Sequence, residues 1–257
     1  MSDSGPPIDA VSQFRFAYCG YWCFFLLLTH IKHCRFLPQR LGLPEVRVMG
    51  QFRVPRWNGP GFTVTGIFFV IALAGAAGNW WSTMWLVLSV PCYFLYFGQI
   101  IIGSEILKKS HSVPLILGIL AMAPWLEPHR FVPAANVPLL LIKLVLVQSM
   151  VSAGMWKLKN YGWSWADGKA LRKHLIKHHL WGDIPLAEYL AQNLIVCRIL
   201  SCLVLLMELS FFLVLVSPVL GQLYSVLAVG FHIGTAFSMR IHYWKYLGPA
   251  YLVFWVG

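Results

Sequence analysis

Long apolar runs alternate with short polar and basic segments along the whole chain. About 20 consecutive apolar residues are enough to cross the hydrocarbon core of a bilayer as a helix. Two of the runs are shorter than this, so each is expected to be tilted, re-entrant or completed by neighbouring residues. The pattern predicts an all-α fold, a polytopic bundle of seven or eight transmembrane helices that forms a single domain over residues 1–257. The apolar runs are 14–31, 62–78, 82–102, 113–126, 137–157, 194–216, 220–239 and 243–257.

The composition excludes an ordinary soluble domain. Hydrophobic residues make up 58% of the chain and charged residues 11%, whereas a soluble domain carries about 25% charged residues. So few charges cannot cover a water-exposed surface, and most of the surface must therefore face lipid. Residues 1–13 are polar and lack the cationic segment of a signal peptide, so the first run is expected to be a retained helix. We expect an integral, multi-pass protein of the plasma membrane or the endoplasmic reticulum.

The net charge of +11 is distributed unevenly along the chain. If every run crosses the membrane, sixteen of the 20 Lys and Arg residues fall on one face. The positive-inside rule predicts that this face is cytoplasmic, which places the N-terminus outside. Because these basic residues belong to membrane loops and no binding module accompanies them, nucleic acid is not an expected partner. The loops on this face are 32–60, 103–112, 157–193 and 240–246.

The segment 158–193 is the longest well-patterned loop. Its central stretch, 169–181, is basic and carries apolar residues at helical spacing. This combination is typical of an amphipathic helix that lies at the membrane interface. The side chains that we expect to enter the lipid are Leu171, Leu175, Leu180 and Trp181.

Two ionisable residues lie in apolar surroundings and are candidates for chemistry. Lys157 ends a long apolar run, and Ala153 and Gly154 permit another helix to approach closely one turn earlier. A lysine in a dry pocket loses stabilisation of its charge, so its free amine can act as a base; a lysine that snorkels to the interface is the alternative. Glu208 is the only acid in its run, and Arg198 is too far along the same helix to pair with it. We therefore expect its partner to come from another helix, in a structural or a functional role.

Histidines supply further candidates. His232 lies inside a predicted helix and His111 precedes one, and a neutral imidazole suits general acid–base work as well as a structural hydrogen bond. His174 and His178 are spaced like zinc ligands on one helix face, but no third ligand lies nearby, so no metal is expected. There is no C-x-x-C, P-loop, nucleophile elbow or dinucleotide-binding glycine pattern. No inverted repeat or polar helix stripe supports a transporter.

Several of these residues resemble the signature of a known family. The segment 153–158 (AGMWKL) is followed by Trp165, Asp167 and Gly168, and this order resembles the HTTM domain. The HTTM domain is the membrane domain of vitamin K-dependent gamma-carboxylases and of their smaller bacterial relatives. The resemblance covers roughly residues 90–257. Looser similarities to the family are Ser110-His111-Ser112, Glu208, Phe231-His232 and the segment 238–241.

The resemblance implies chemistry on a quinone. Lys157 matches the family's lysine, the base that deprotonates reduced vitamin K, and His111 would orient the hydroquinone or share its proton. Reduced vitamin K or another quinone is thus the implied cofactor, in carboxylation or epoxidation chemistry. Membrane lipid and a lipid-soluble small molecule are the implied partners. The implied substrate-binding residues are Trp163, Asp167, Gly168, Glu208, His232 and Arg240.

Whether the chain is an enzyme stays open at this point. It stops at Gly257 without the large lumenal region that captures a propeptide in the carboxylases, so carboxylation of peptidyl glutamate is not expected. The family's lysine also faces the lumen, whereas the charge bias places Lys157 on the cytoplasmic side. The alternative is a non-enzymatic maturation or assembly factor for a secreted peptide or protein. Lipase maturation factors carry a similar Gly–x–x–Lys segment followed by a tryptophan.

Overall fold

The computed structural model describes residues 9–36, 45–48, 52–55, 59–78, 81–100, 112–126 and 136–256. These residues divide into two compact units: the first contains the described residues up to Ile142 together with Val256, and the second covers Lys143–Trp255. They are helical except for one short hairpin and the turns between helices. The predicted helical fold class is therefore confirmed for the residues that the structure describes, and the hairpin was not predicted.

The first unit is built from helices that pack in chain order and from an antiparallel hairpin that packs against α3. Helix α2 packs against both α1 and α3, and α3 packs against α4. The two strands pair with Glu45 opposite Pro55 and Val48 opposite Phe52. The elements described in this unit are α1 (Ala10–Phe36), β1 (Glu45–Val48), β2 (Phe52–Pro55), α2 (Gly59–Ala77), α3 (Ser82–Ile100) and α4 (Ser112–Leu126).

Aromatic side chains fill the core of the first unit. Trp22 of α1 lies edge-on to Phe97 of α3, with ring centroids 6.2 Å apart, and both side chains are fully buried. His30 stacks on Phe62 and its Nδ1 lies 3.0 Å from the hydroxyl oxygen of Tyr96. Offset and edge-to-face ring pairs add about 1 kcal/mol each to the gain from burial. This histidine therefore has a structural role in the aromatic core.

The second unit contains the long helices that carry the candidate chemistry. A 3₁₀ segment, which we call the tryptophan turn, connects its first two helices, and further 3₁₀ segments follow α8 and α10. The described elements are α5 (Val137–Tyr161, whose first residues belong to the first unit), the tryptophan turn (Gly162–Asp167), α6 (Lys169–Gly182), α7 (Pro185–Gln192), α8 (Leu194–Leu209), Phe211–Leu215, α9 (Pro218–Met239), α10 (Trp244–Leu247) and Gly248–Phe254.

Local sequence signals explain where these helices begin. Pro185 occupies the first turn of α7, where its missing N–H is not needed. The side chain of Asn193 accepts hydrogen bonds from the backbone N–H groups of Ile195 and Val196, at 3.0 and 3.2 Å, and caps α8. Because α7 ends where this cap begins, the two helices are bent by 101° relative to each other.

Among the residues that the structure describes, three helical stretches are long and apolar enough to cross a membrane. They are Pro60–Ala77, Val137–Asp167 and Pro218–Met239, and the bent pair Pro185–Gln192 and Leu194–Leu209 makes a fourth if it is one broken span. The apolar stretches Ser82–Phe97 and Ser112–Leu126 are shorter. The structure thus has the helices of a membrane protein, while the larger number of spans stays a prediction.

The apolar face of α6 is used inside the protein. Leu175 is 1% exposed and belongs to a buried cluster with residues of α7 and α8, and Leu171 packs against that cluster. The expectation that these two leucines enter the lipid was therefore wrong, because α7 covers the face that carries them. Leu180 and Trp181, at the other end of the helix, are each 75% exposed, as an interfacial position requires. The other members of the cluster are Ile184, Ala187, Ala191 and Cys197.

Candidate functional site

The most unusual feature of the second unit is an ion pair buried between two apolar helices. The Nζ of Lys157, near the end of α5, donates to both carboxylate oxygens of Glu208, near the end of α8. The side chains are 15% and 3% exposed. The expectation that Glu208 takes its partner from another helix is confirmed. Charges at membrane depth are costly unless paired, so the two residues are energetically coupled.

A glycine allows the two helices to approach closely enough for this pair. A Cβ added at Gly154 would lie 3.1 Å from the Cβ of Glu208 and 3.0 Å from a side-chain methyl of Leu209. Both distances are tighter than most natural Cβ contacts. The predicted close approach at Gly154, one turn before Lys157, is therefore confirmed. This contact brings the backbone of α8 near enough for Glu208 to meet the lysine.

The tryptophan turn covers one side of the lysine. Nζ of Lys157 lies 5.5 Å from the centre of the Trp165 ring, a distance typical of a cation–π contact. Trp165 is 7% exposed, and its ring also neighbours Tyr161, with centroids 5.2 Å apart. The ammonium group therefore has an aromatic face beside it as well as a carboxylate.

A second polar pair lies near the first. His232 of α9 places Nε2 3.1 Å from the hydroxyl oxygen of Tyr251, and the two rings stack with centroids 6.0 Å apart. Both residues are buried. His232 interacts electrostatically with Lys157, and Tyr251 does so with Glu208. The predicted candidate His232 therefore belongs to the same polar cluster as the ion pair.

The other nitrogen of this histidine has no protein partner in the described part of the chain. His232 Nδ1 is fully buried and makes no hydrogen bond there, and the same is true of Ser201 Oγ on α8. A buried polar atom without a hydrogen bond costs about 1–3 kcal/mol. The buried Nδ1 of His232, within electrostatic reach of Lys157, is a position at which a polar ligand would gain a hydrogen bond.

His174 of α6 lies next to Trp165. The two rings have centroids 6.0 Å apart. Burial lowers the pKa of this histidine below its ordinary value, because it disfavours the charged form. Neighbouring positive charges lower it further. These charges belong to His178, Lys177, Lys173 and Lys157.

Three of the residues predicted to bind substrate have other surroundings. Trp163 is 76% exposed on the tryptophan turn, and Trp165 is the tryptophan that meets Lys157. Asp167 accepts a hydrogen bond of 2.8 Å from the backbone N–H of Lys169 and so helps α6 to begin. Arg240 follows the last residue of α9 in the left-handed conformation, with φ of 54°. Its guanidinium lies beside Gly182, at the end of α6.

The structure explains why residue 168 is a glycine. Its φ is +81°, and an added Cβ would lie 2.4 Å from the backbone nitrogen of Arg198. Only glycine fits this position, since the left-handed conformation and the backbone contact both exclude a side chain. The residue therefore fixes the tryptophan turn against α8, and this in turn holds Trp165 beside Lys157.

His111, predicted to act with Lys157, lies outside the described residues. Tyr251 and Trp165 join the cluster although neither was predicted as a site residue. A signal for Tyr251 was available, because a tyrosine in an apolar run needs a partner for its hydroxyl. Within the described ranges, no group of three or more His, Cys, Asp and Glu side chains could hold a metal ion.

Comparison with known proteins does not extend this description. No protein-family model, no curated protein and no solved structure matches the chain.

Proposed function

We propose that the chain is a multi-pass membrane enzyme in which Lys157 removes a proton from a lipid-soluble hydroxyl compound, with a hydroquinone as the favoured substrate. The proposal places it in the plasma membrane or the endoplasmic reticulum, as an HTTM-like protein. The observation that carries it is the ion pair between Lys157 and Glu208, buried between apolar helices. A buried ion pair stabilises a protein little compared with apolar residues of similar size. Stability alone is therefore a poor reason for its presence, and proton transfer is a better one.

The pair can supply a base in an apolar environment. When the proton shared by Lys157 and Glu208 lies on the carboxylate, both groups are neutral, which is the cheaper arrangement away from water. The neutral amine then has the lone pair that a base needs. After Lys157 takes a proton from the substrate, its new ammonium group pairs with the substrate oxyanion, while Glu208 keeps its own proton and accepts a hydrogen bond from the ammonium through its carbonyl oxygen.

The neighbouring residues fit a hydroquinone, which has an apolar ring and two hydroxyl groups. His232 Nδ1 is the buried atom without a protein partner and would hydrogen-bond a substrate oxygen. Tyr251, bonded to Nε2, fixes the orientation of this imidazole. Trp165 offers an aromatic surface next to the ammonium group. A reduced quinone would supply an acidic hydroxyl and, through its oxidation, the carboxylation or epoxidation chemistry that the HTTM resemblance implies.

The test compares three proteins purified in mild detergent: wild type, Lys157→Met and Lys159→Met. Lys159 is an exposed lysine in the last turn of the same helix, so it is a matched control. Each is incubated with reduced vitamin K under air, and the oxidised product is measured by mass spectrometry. We expect equal turnover in wild type and control, and a loss of at least about 100-fold in Lys157→Met, the usual contribution of a general base. Equal turnover in folded Lys157→Met protein would show that the lysine is not the base.

A non-enzymatic maturation factor for a secreted peptide or protein is the second candidate. The exposed indole of Trp163, on the turn beside the ion pair, favours it, because exposed tryptophans often anchor partners. Trp163→Ala removes that anchor, and Tyr189→Ala removes an equally exposed ring on α7 as a control. A co-purifying peptide that is lost only from Trp163→Ala, with no quinone turnover in any variant, would favour this function.

A further inference from the structure

The outer face of α6 combines exposed lysines with exposed apolar side chains. Lys169, Lys173, Lys177 and Trp181 follow one another at four-residue spacing and form one stripe along the helix. All four are exposed. The sequence of α6 contains no acidic residue. We call this stripe the lysine stripe.

The exposed apolar residues of α6 do not contribute to the protein core. Leu171 and Leu175 already pack on the buried cluster. Ile176, Leu180 and Trp181 point elsewhere and are 41%, 75% and 75% exposed. Nζ of Lys177 lies 4.2 Å from the ring centre of Trp181, so a cation and an aromatic ring are presented together. An exposed face of this type is usual for helices that lie among lipid headgroups.

The position of α6 in the chain also fits a helix that lies at the level of the lipid headgroups. The candidate span Val137–Asp167 ends two residues before α6 begins, so the start of α6 lies near the end of a span. On its other side α6 packs against α7, which is bent by 101° from α8. If α8 crosses the bilayer, the bend places α7 close to the membrane plane. Because α6 packs on α7, it lies at the same interface.

We infer that the lysine stripe binds the anionic headgroups of phospholipids. Within the described residues, Lys169 has a carboxylate neighbour in Asp167, 3.5 Å away, and no carboxylate pairs with Lys173 or Lys177. These two ammonium groups complement phosphate groups, while Leu180 and Trp181 enter the layer beneath them. The inference requires only that the chain lies in a bilayer and is independent of the activity of Lys157.

Native mass spectrometry of the full chain in mild detergent provides the test. The protein is given an equal mixture of phosphatidylglycerol and phosphatidylcholine, and the lipids that remain bound are counted. Wild type is compared with Lys173→Gln/Lys177→Gln and with the control Lys159→Gln/Lys245→Gln, which loses the same charge outside α6. We expect wild type and control to retain phosphatidylglycerol preferentially. The preference should fall by about 5-fold for each stripe lysine removed.

Trp181 reports where the lipid binds. Brominated phosphatidylglycerol should quench its fluorescence, measured as the difference between wild type and Trp181→Phe, more strongly than brominated phosphatidylcholine. High salt should reduce this difference, because it screens exposed charges. Equal lipid retention in the stripe variant and the control, or equal quenching by the two lipids, would overturn the inference. Selective binding of a poly-glutamate peptide that phosphatidylglycerol does not displace would identify an acidic protein partner and would also overturn it.

Discussion

Removing one member of the Lys157–Glu208 pair leaves the other as a buried polar group without its counter-charge. The two single variants Lys157→Met and Glu208→Met each do this, and the double variant replaces the whole pair by apolar side chains of similar length. The three variants form a double-mutant cycle on one buried contact, in which each change deletes the interaction from a different side.

The burial of the two side chains sets the expected magnitude. Breaking a buried ion pair from one side destabilises a protein by about 3–5 kcal/mol, whereas replacing both partners by apolar groups is often neutral. We expect the lower end of this range, about 3 kcal/mol for each single variant. In Glu208→Met, Lys157 is 15% exposed and can move its ammonium group outward. In Lys157→Met, the carboxyl of Glu208 can take up a proton. The double variant should lie within about 1 kcal/mol of wild type.

The assay is reversible unfolding in mixed micelles of a mild detergent and dodecyl sulfate, followed by far-UV circular dichroism. Independent effects would add to about 6 kcal/mol in the double variant. A double variant that is more stable than either single variant confirms the coupling. Additive losses, or single variants as stable as wild type, would refute the argument that the two groups stabilise each other in an apolar interior.

Two further predictions concern the tryptophan turn and its neighbour. Gly168→Ala should lower the free energy of unfolding by at least about 3 kcal/mol, because it adds the clash with the Arg198 backbone to the cost of a positive φ. The control Gly162→Ala, with φ of +58° and open space around it, should cost only about 1 kcal/mol; equal losses in the same unfolding assay would contradict the reasoning. For His174 the folded pKa is lowered, so the unfolded chain binds more protons as pH falls through the ordinary histidine range, and stability should decrease there. Measuring the free energy of unfolding against pH should show a smaller decrease in His174→Gln than in wild type, and parallel curves would disprove this origin.

Helix positions followed closely from the apolar runs. The predicted runs 82–102 and 113–126 correspond to Ser82–Ile100 and Ser112–Leu126, because burial of apolar side chains and backbone hydrogen bonding both favour a helix there. The run 243–257 instead contains the short helix Trp244–Leu247 and a 3₁₀ segment. The hairpin had a visible signal, since polar and apolar residues alternate in Glu45–Val48, as is typical of a strand.

The candidate site could be predicted only in part. Lys157, Glu208 and His232 were identifiable because ionisable residues are rare in apolar runs. The choice between Trp163 and Trp165 could not be made from spacing, since both lie on the same short turn and only packing against α6 and α8 buries one of them. Gly168 stands out in the sequence, but the reason for it, the backbone of α8, belongs to a different part of the chain.

The sequence by itself determined that this chain forms apolar helices suited to a bilayer, since that depends on local composition and length. It also determined which few ionisable residues cost free energy when they are buried. Only the tertiary structure decided that Lys157 pairs with Glu208, 51 residues away, and that His232 bonds to Tyr251. It likewise decided which face of α6 enters the core and which presents its lysines outward. Such contacts depend on how distant helices pack, and helix packing is set by shape and close approach, as at Gly154, and not by any local pattern.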